Sequence, residues 1–266
     1  MTSVASGQTA RLPQPRRAAF GPLVGHLLRR EIALSHRSSL IGAGWPLVRQ
    51  LVQLAVLVFV FSHVLDLGVP DYPAFVYCGL LGWSWFTTAL TQSTTAIPDN
   101  RNLAMRPGFP TIVLPLLAVL VPLVDLAIAL PVLIVLLLVD ASLQWTIVLL
   151  PLLLLVQGVL SLGLAWLCSS LTVFVRDIPH LVGVALVLGF YVTPVYFDVA
   201  RVPEQYTWIL RLNPMAVLLE AERAVLLGTP FPPVANFIAV VGFSVLLALG
   251  GWAAFRRLAP LFADEL

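Results

Sequence analysis

The chain contains no lysine: all fifteen of its basic residues are arginine. A P-loop ATPase needs a glycine-rich turn and a lysine that reaches the nucleotide phosphates. Neither is present, so any ATP that drives this chain must be hydrolysed by another subunit. Charge of either sign is scarce, at 11% of residues, where a soluble domain carries roughly 25%. There are only two cysteines, Cys78 and Cys168, both inside apolar stretches and without metal-ligand spacing. They read as small buried hydrophobes rather than as a disulfide framework or a metal site. His26, His36, His63 and His180 are scattered and read as structural or interfacial. Residues 1–22 are polar, with proline and arginine and no apolar core. No cleavable signal peptide is visible there, and the first apolar helix is expected to act as its own insertion signal. No catalytic constellation is found. The chain reads as a non-enzyme that binds no cofactor, metal or nucleic acid itself.

What is abundant is apolar surface. Of 266 residues, 59% are hydrophobic, and the mean hydropathy is +0.97. Several stretches reach the length of about 20 residues that a helix needs to cross a bilayer. An integral membrane protein of all-α class follows. Residues 1–20 look like a disordered tail, followed by a single transmembrane domain over 21–266. In 21–40, Leu23, Leu27, Leu28, Ile32 and Leu34 recur near the helical period, with Arg29, Arg30 and Arg37 at other positions. This pattern predicts a basic amphipathic helix lying in the membrane interface. Six membrane-length segments then run over about 45–65, 74–97, 111–139, 143–173, 181–197 and 234–255, the fifth being short. The third and fourth are joined only by 140–142, which predicts a tight antiparallel hairpin. Pro115, Pro122 and Pro131 are expected to kink the third.

Twelve arginines fall on one side of this arrangement and three, Arg201, Arg211 and Arg223, on the other. The positive-inside rule places the arginine-rich side, with both termini, in the cytoplasm of a multi-pass membrane protein. Loop 98–110 then faces the cytosol. Asp99 or Asn100 is positioned to cap a short helix ended by Pro107 and Gly108. A bare connection would need fewer residues, which suggests a docking helix. Loop 198–233 is external, too apolar for a solvated loop and too interrupted for a span. Pro203, Asn213-Pro214 and Gly228 cut it into two short helices, about 203–213 and 214–227. Such helices lie in the interface or re-enter the membrane against protein. Glu220, Glu222 and Arg223 are expected to face water or a pathway.

The phrases Phe109-Pro110, Leu114-Pro115, Arg176-Asp177-Ile178, Thr193-Pro194-Val195 and Leu212-Asn213-Pro214-Met215 occur in that order. In order and spacing the chain resembles, over about residues 23–255, the membrane permease of type 2 ABC exporters for polysaccharides: O-antigen, capsule and teichoic acid. The resemblance implies a homodimer in the bacterial plasma (inner) membrane, paired with two copies of a cytosolic ABC ATPase that binds ATP and Mg. The complex would move a lipid-linked polysaccharide outward. Residues 98–110 would carry the coupling helix, with Asn100, Arg101, Leu103 and Arg106 against the ATPase, and Arg176 and Asp177 would form a second cytosolic contact. The helices over about 203–227 would form an external gate, with Trp208, Asn213, Pro214 and Glu220. The family also places spans one and five at the dimer seam.

Sugar rings are bound by flat aromatic faces together with polar edges. Phe61, Tyr77, Phe190, Tyr191 and Tyr196 are the candidates for the substrate path. The alternative for aromatics such as Trp83 and Trp85 is an interfacial belt or lipid-facing packing. The hydroxyl-rich run over 87–96 would either bond across helices or wet a channel. Asp125, the one acid deep in a span, is a functional candidate by default. It competes with a plain structural role, protonated or paired with a group such as Gln157. A permease of the same class for a drug or small lipid remains as the alternative. An ion-driven secondary transporter would want paired buried acids, and only Asp125 is offered.

Overall fold

The computed structural model describes residues 20–35, 44–64, 71–139 and 144–265. The tail before residue 20, the interface helix beyond Ser35 and the turn at 140–142 fall outside the described residues. Every regular element among the described residues is helical. A chain in hydrocarbon must satisfy its backbone within itself, and helices do this segment by segment.

Helix α1 spans Phe20–Ser35 and lays Leu27 against Val113 and Leu117, with Leu23, Val24, Leu28 and Phe109 around them. Arg29 and Arg30 are exposed on its other side. Within α1, Leu23, Val24, Leu27 and Leu28 thus form one apolar stripe with a protein partner. Helix α2, Gly44–Val58, continues as one π-helical stretch over Phe59–Val64. Helix α3, Tyr72–Thr95, is the hub, packed against α5 (Val113–Val139), α6 (Leu150–Phe174) and α7 (Ile178–Val192). Between α3 and α5 lies the short α4, Arg101–Ala104.

Helix α5 runs unbroken with Pro122 and Pro131 inside it. Pro115 lies in its first turn, where no internal hydrogen bond is lost. Helix α6 follows a 3-10 turn at Trp145–Leu149. Two short helices come after α7, namely α8 (Thr207–Leu212) and α9 (Pro214–Leu227), then α10 (Val234–Leu258) and α11 (Phe262–Glu265).

Helices α6 and α10 cross where Gly163 meets Gly251. A Cβ on Gly163 would stand 2.7 Å from the Ala248 nitrogen. Small residues here let the two backbones approach closely, as membrane helices do in place of hydrophobic sorting. At the far end Phe255, Phe262, Ile97 and Val173 pack together, and the Phe255 and Phe262 rings meet edge to face at 5.4 Å.

Among the described residues, four helices are long and apolar enough to cross a membrane: Gly44–Ser62, Val113–Val139, Trp145–Phe174 and Val234–Glu265. The other two expected spans differ for physical reasons. Helix α3 has 24 residues, about 36 Å at 1.5 Å per residue. It is long enough but less apolar, because it is shielded by the rest of the bundle. Helix α7 has 15 residues, about 22 Å by the same rise, and stops at Val192 rather than at 197. Pro194 disfavours helix at the preceding residue, and Thr193 is extended, at φ −89° and ψ 137°.

Candidate functional site

The stretch around α4 is built of successive turns. The Leu103 and Ala104 amides both donate to the Asn100 carbonyl, and Met105 donates to Arg101 O at 2.9 Å. Asn100 precedes the helix but does not cap it with its side chain. Its amide turns back and donates to Ala96 O at 3.0 Å. The expected cap is therefore corrected: the carboxamide closes the end of α3 rather than opening α4. Gly108 ends the stretch at φ 81°, a left-handed conformation that favours glycine. Arg101, Met105 and Arg106 are exposed, and Leu103 is half-buried against Ala96, Leu114 and Ala118. One side of the turn is thus anchored on α5 while the arginines point away. A cleft of about 220 Å³ separates this turn from α1, lined by Arg30, Glu31, Thr95, Asp99 and Asn100 among others. Arg176 and Asp177, between α6 and α7, are both exposed.

At the opposite end, four of the five expected path residues form one aromatic cluster. Phe61 stacks on Tyr196 with ring centroids 5.3 Å apart. Tyr196 lies 5.6 Å from Phe190, and Phe190 lies 5.6 Å from Tyr191. Tyr72 and Trp83 back the cluster, the latter 6.2 Å from Phe190. Tyr191 is 63% exposed, so the cluster opens outward through it. Tyr77 is not part of the cluster. It is fully buried, and its hydroxyl donates to Ala129 O at 3.4 Å. Trp83 and Trp85 are buried too, which corrects the belt reading, and the Trp85 indole donates to Val119 O at 3.0 Å.

What holds this cluster is a buried cation, Arg223, which was expected to face water or a pathway. Arg223 on α9 is only 3% exposed, and so is Glu222. The Arg223 guanidinium donates to three backbone carbonyls: Phe75 O at 3.2 Å, Val195 O at 2.7 Å, and Pro194 O. It also lies over the Phe75 ring, 3.7 Å from the centroid. Charge-assisted bonds and a ring face thus replace its lost hydration. The same turn is tied twice more. Tyr72 Oη donates to Tyr196 O at 2.8 Å, and Asn213 Nδ2 donates to Thr193 Oγ1 at 2.9 Å. Asn213 Oδ1 accepts from the Met215 and Ala216 amides and so caps α9, with Pro214 in the first turn. Gly79 makes room for this: a Cβ there would stand 2.5 Å from Arg223 Nη2 and 2.7 Å from Val195 O.

Helix α9 is buried along most of its length, between α3, α6 and α10. Trp208 on α8 is 58% exposed, whereas Glu220 is half-buried. Burial pushes the Glu220 carboxyl above the ordinary value, opposed by Arg223 and Arg211 and assisted by Asp198. Three of the hydroxyls over 87–96 bond back to their own helix, Thr87 donating to Ser84 O at 3.1 Å. Ser93 donates to Leu90 O and Thr94 to Thr91 O, each at 2.7 Å. They are satisfied on their own helix. The Gln157 amide donates to Gly82 O at 2.7 Å. Cys78 and Cys168 are free thiols, Cys78 fully buried. The sequence signal missed was the pair Gly79 and Gly82 on α3, set one helical turn apart opposite two charges in α9.

A bundle of apolar helices with one exposed basic turn and a seated aromatic cluster is the frame of a membrane transporter chain. Residues 22–227 match the model of the ABC-2 type transporter family, and the chain belongs to that family. Among its curated relatives is the O-antigen export system permease protein RfbA of Myxococcus xanthus, 29% identical over 243 residues, 90% of this chain and 94% of the relative. Two proteins of the same name from Klebsiella pneumoniae are each 27% identical over 244 residues, 90% of this chain and 93% of theirs.

Proposed function

We propose that this chain is the transmembrane permease of an ATP-driven exporter that moves a lipid-linked polysaccharide of O-antigen type out across the plasma membrane. The likeness to O-antigen export permeases along nine-tenths of the chain carries this reading. The aromatic cluster supports it, since stacked rings offer faces to the CH surfaces of sugars. In this reading two copies form the conduit with two copies of a cytosolic ABC ATPase, which holds the ATP and Mg. Both termini are cytoplasmic. The chain crosses six times, through the four long apolar helices together with α3 and α7.

The division of labour follows from the two ends of the bundle. Arg101 and Arg106 on the α4 turn, with Arg176 and Asp177, meet the ATPase. Movement there reaches α3 and α5 through the anchored Asn100 and Leu103. Phe61, Phe190, Tyr191 and Tyr196 line the path, and α8 and α9 close it outside, with Trp208 exposed and Asn213-Pro214 as the joint.

Arg101→Glu and Arg106→Glu test the coupling half. Each should lower ATPase co-purification and polysaccharide export, with the purified permease melting as native. Native levels of complex and export in both variants would refute the docking role. Mass spectrometry of what co-purifies with the tagged native chain tests the substrate half. An ATPase bearing a carbohydrate-binding domain supports the glycan reading. A bare ATPase together with drug-stimulated hydrolysis would move the chain to small-molecule export.

A further inference from the structure

Arg223 spends its guanidinium on three carbonyls, which leaves its neighbour Glu222 to be explained. Glu222 is 3% exposed, and its Oε1 has no hydrogen-bond partner. Across the interface, Gln157 on α6 is fully buried. Its nitrogen is used on Gly82 O, and its Oε1 has no partner either. The other oxygen of the Glu222 carboxyl, Oε2, and the bare Gln157 Oε1 face the same notch. A Cβ on Gly82 would stand 2.7 Å from Glu222 Oε2 and 3.6 Å from Gln157 Oε1. Two bare acceptors in a low-dielectric gap cost free energy, and an ionised carboxylate costs more. One proton removes the conflict, because a carboxylic acid has an O–H to donate.

We propose that Glu222 is carried as a neutral carboxylic acid whose proton is donated to Gln157 Oε1, a proton-dependent lock that fastens α9 to α6 across Gly82 of α3. The inference rests on the packing of α9 and not on what the chain transports. The titratable groups around the carboxyl are Cys78 on α3 and Arg223 on α9 itself. From α5 the space receives leucines, Leu126, Leu130 and Leu133. Helix α9 lies outside the four long apolar helices. Burial raises its Glu222 carboxyl to about 8, against a smaller lowering by Arg223. The folded chain therefore binds a proton that the unfolded chain releases at lower pH. Stability from the lock is complete below the ordinary carboxyl value of 4.5, declines as pH rises from there, and is gone above about 8.

The test is infrared difference spectroscopy on the full chain in lipid nanodiscs, native against Glu222→Gln. Below about pH 8 the substitution should remove a protonated-carboxyl C=O stretch and leave the carboxylate bands unchanged. Loss of carboxylate bands instead would overturn the proposal. Asp125 contributes equally to both proteins and cancels. Gln157→Leu keeps Glu222 and removes the acceptor, so it serves even where Glu222→Gln does not fold. It should move the band to higher wavenumber, and an unmoved band would show the proton donated elsewhere. The native melting temperature should fall as pH rises from about 4.5 to about 8 and level off above, with that part of the fall absent in Glu222→Gln. Equal pH dependence in both would refute the lock.

Discussion

Arg223 shows how a single residue fixes a surface it never reaches. Its side chain lies in the core, yet its three acceptors position the turn that bears Tyr196 beside Phe190 and Phe61. Arg223→Gln strands buried carbonyls and should destabilise the chain by about 3 kcal/mol, read as thermal unfolding in nanodiscs. Arg223→Lys keeps the charge but not the planar fork, and should fall between native and Gln. A native melting temperature for both would show the guanidinium bonds to be dispensable. Gly79→Ala forces a Cβ into the guanidinium and should cost about 1–3 kcal/mol by overpacking. Gly242→Ala, with nothing within 4 Å of its Cβ, should be neutral or stabilising by up to about 1 kcal/mol. Similar melting temperatures for the two alanine variants would mean the notch at Gly79 is roomier than described.

At the scale of elements, the close crossing of α6 and α10 depends on Gly163 and Gly251. A valine at 163 has to displace the Leu247–Ala248 backbone rather than a flexible side chain. Gly163→Val should separate the two helices and lower the yield of folded chain in membranes severalfold, read by detergent-resistant fluorescence of a tagged protein. An unchanged yield would mean the crossing is not structural. The sequence made most of these helices legible through apolar length. The exposed turn around Arg101–Ala104 was legible too, because Pro107 and Gly108 punctuate a polar stretch. It did not reveal that Asn100 faces backwards, since a cap and a helix-closing bond use the same side chain one turn apart.

At the scale of the whole molecule, α7 has no buried residue. Leu181, Val184, Leu188 and Tyr191 stand exposed along it, on a helix that also carries Phe190 into the aromatic cluster. If this face meets a second copy, Val184→Cys should give disulfide-linked dimers on mild oxidation of native membranes. Leu155→Cys, exposed on α6, should give none. Equal yields from both would place the seam elsewhere.

By itself the sequence determined an all-helical membrane chain and set the expectation that any ATP is hydrolysed elsewhere. Hydropathy and the missing lysine are properties of composition and length, which need no partner in space. It also marked the aromatics and the Asn213-Pro214 break, since local chemistry shows in local order. Only the tertiary structure decided that Glu222 and Arg223 are buried, that Tyr77 belongs to the core, and that Gly79 and Gly82 receive them. A charge in a short amphipathic helix looks solvated until another helix covers it. Among the helices that cover α9 is α3, far away in the chain and carrying two glycines at the matching height.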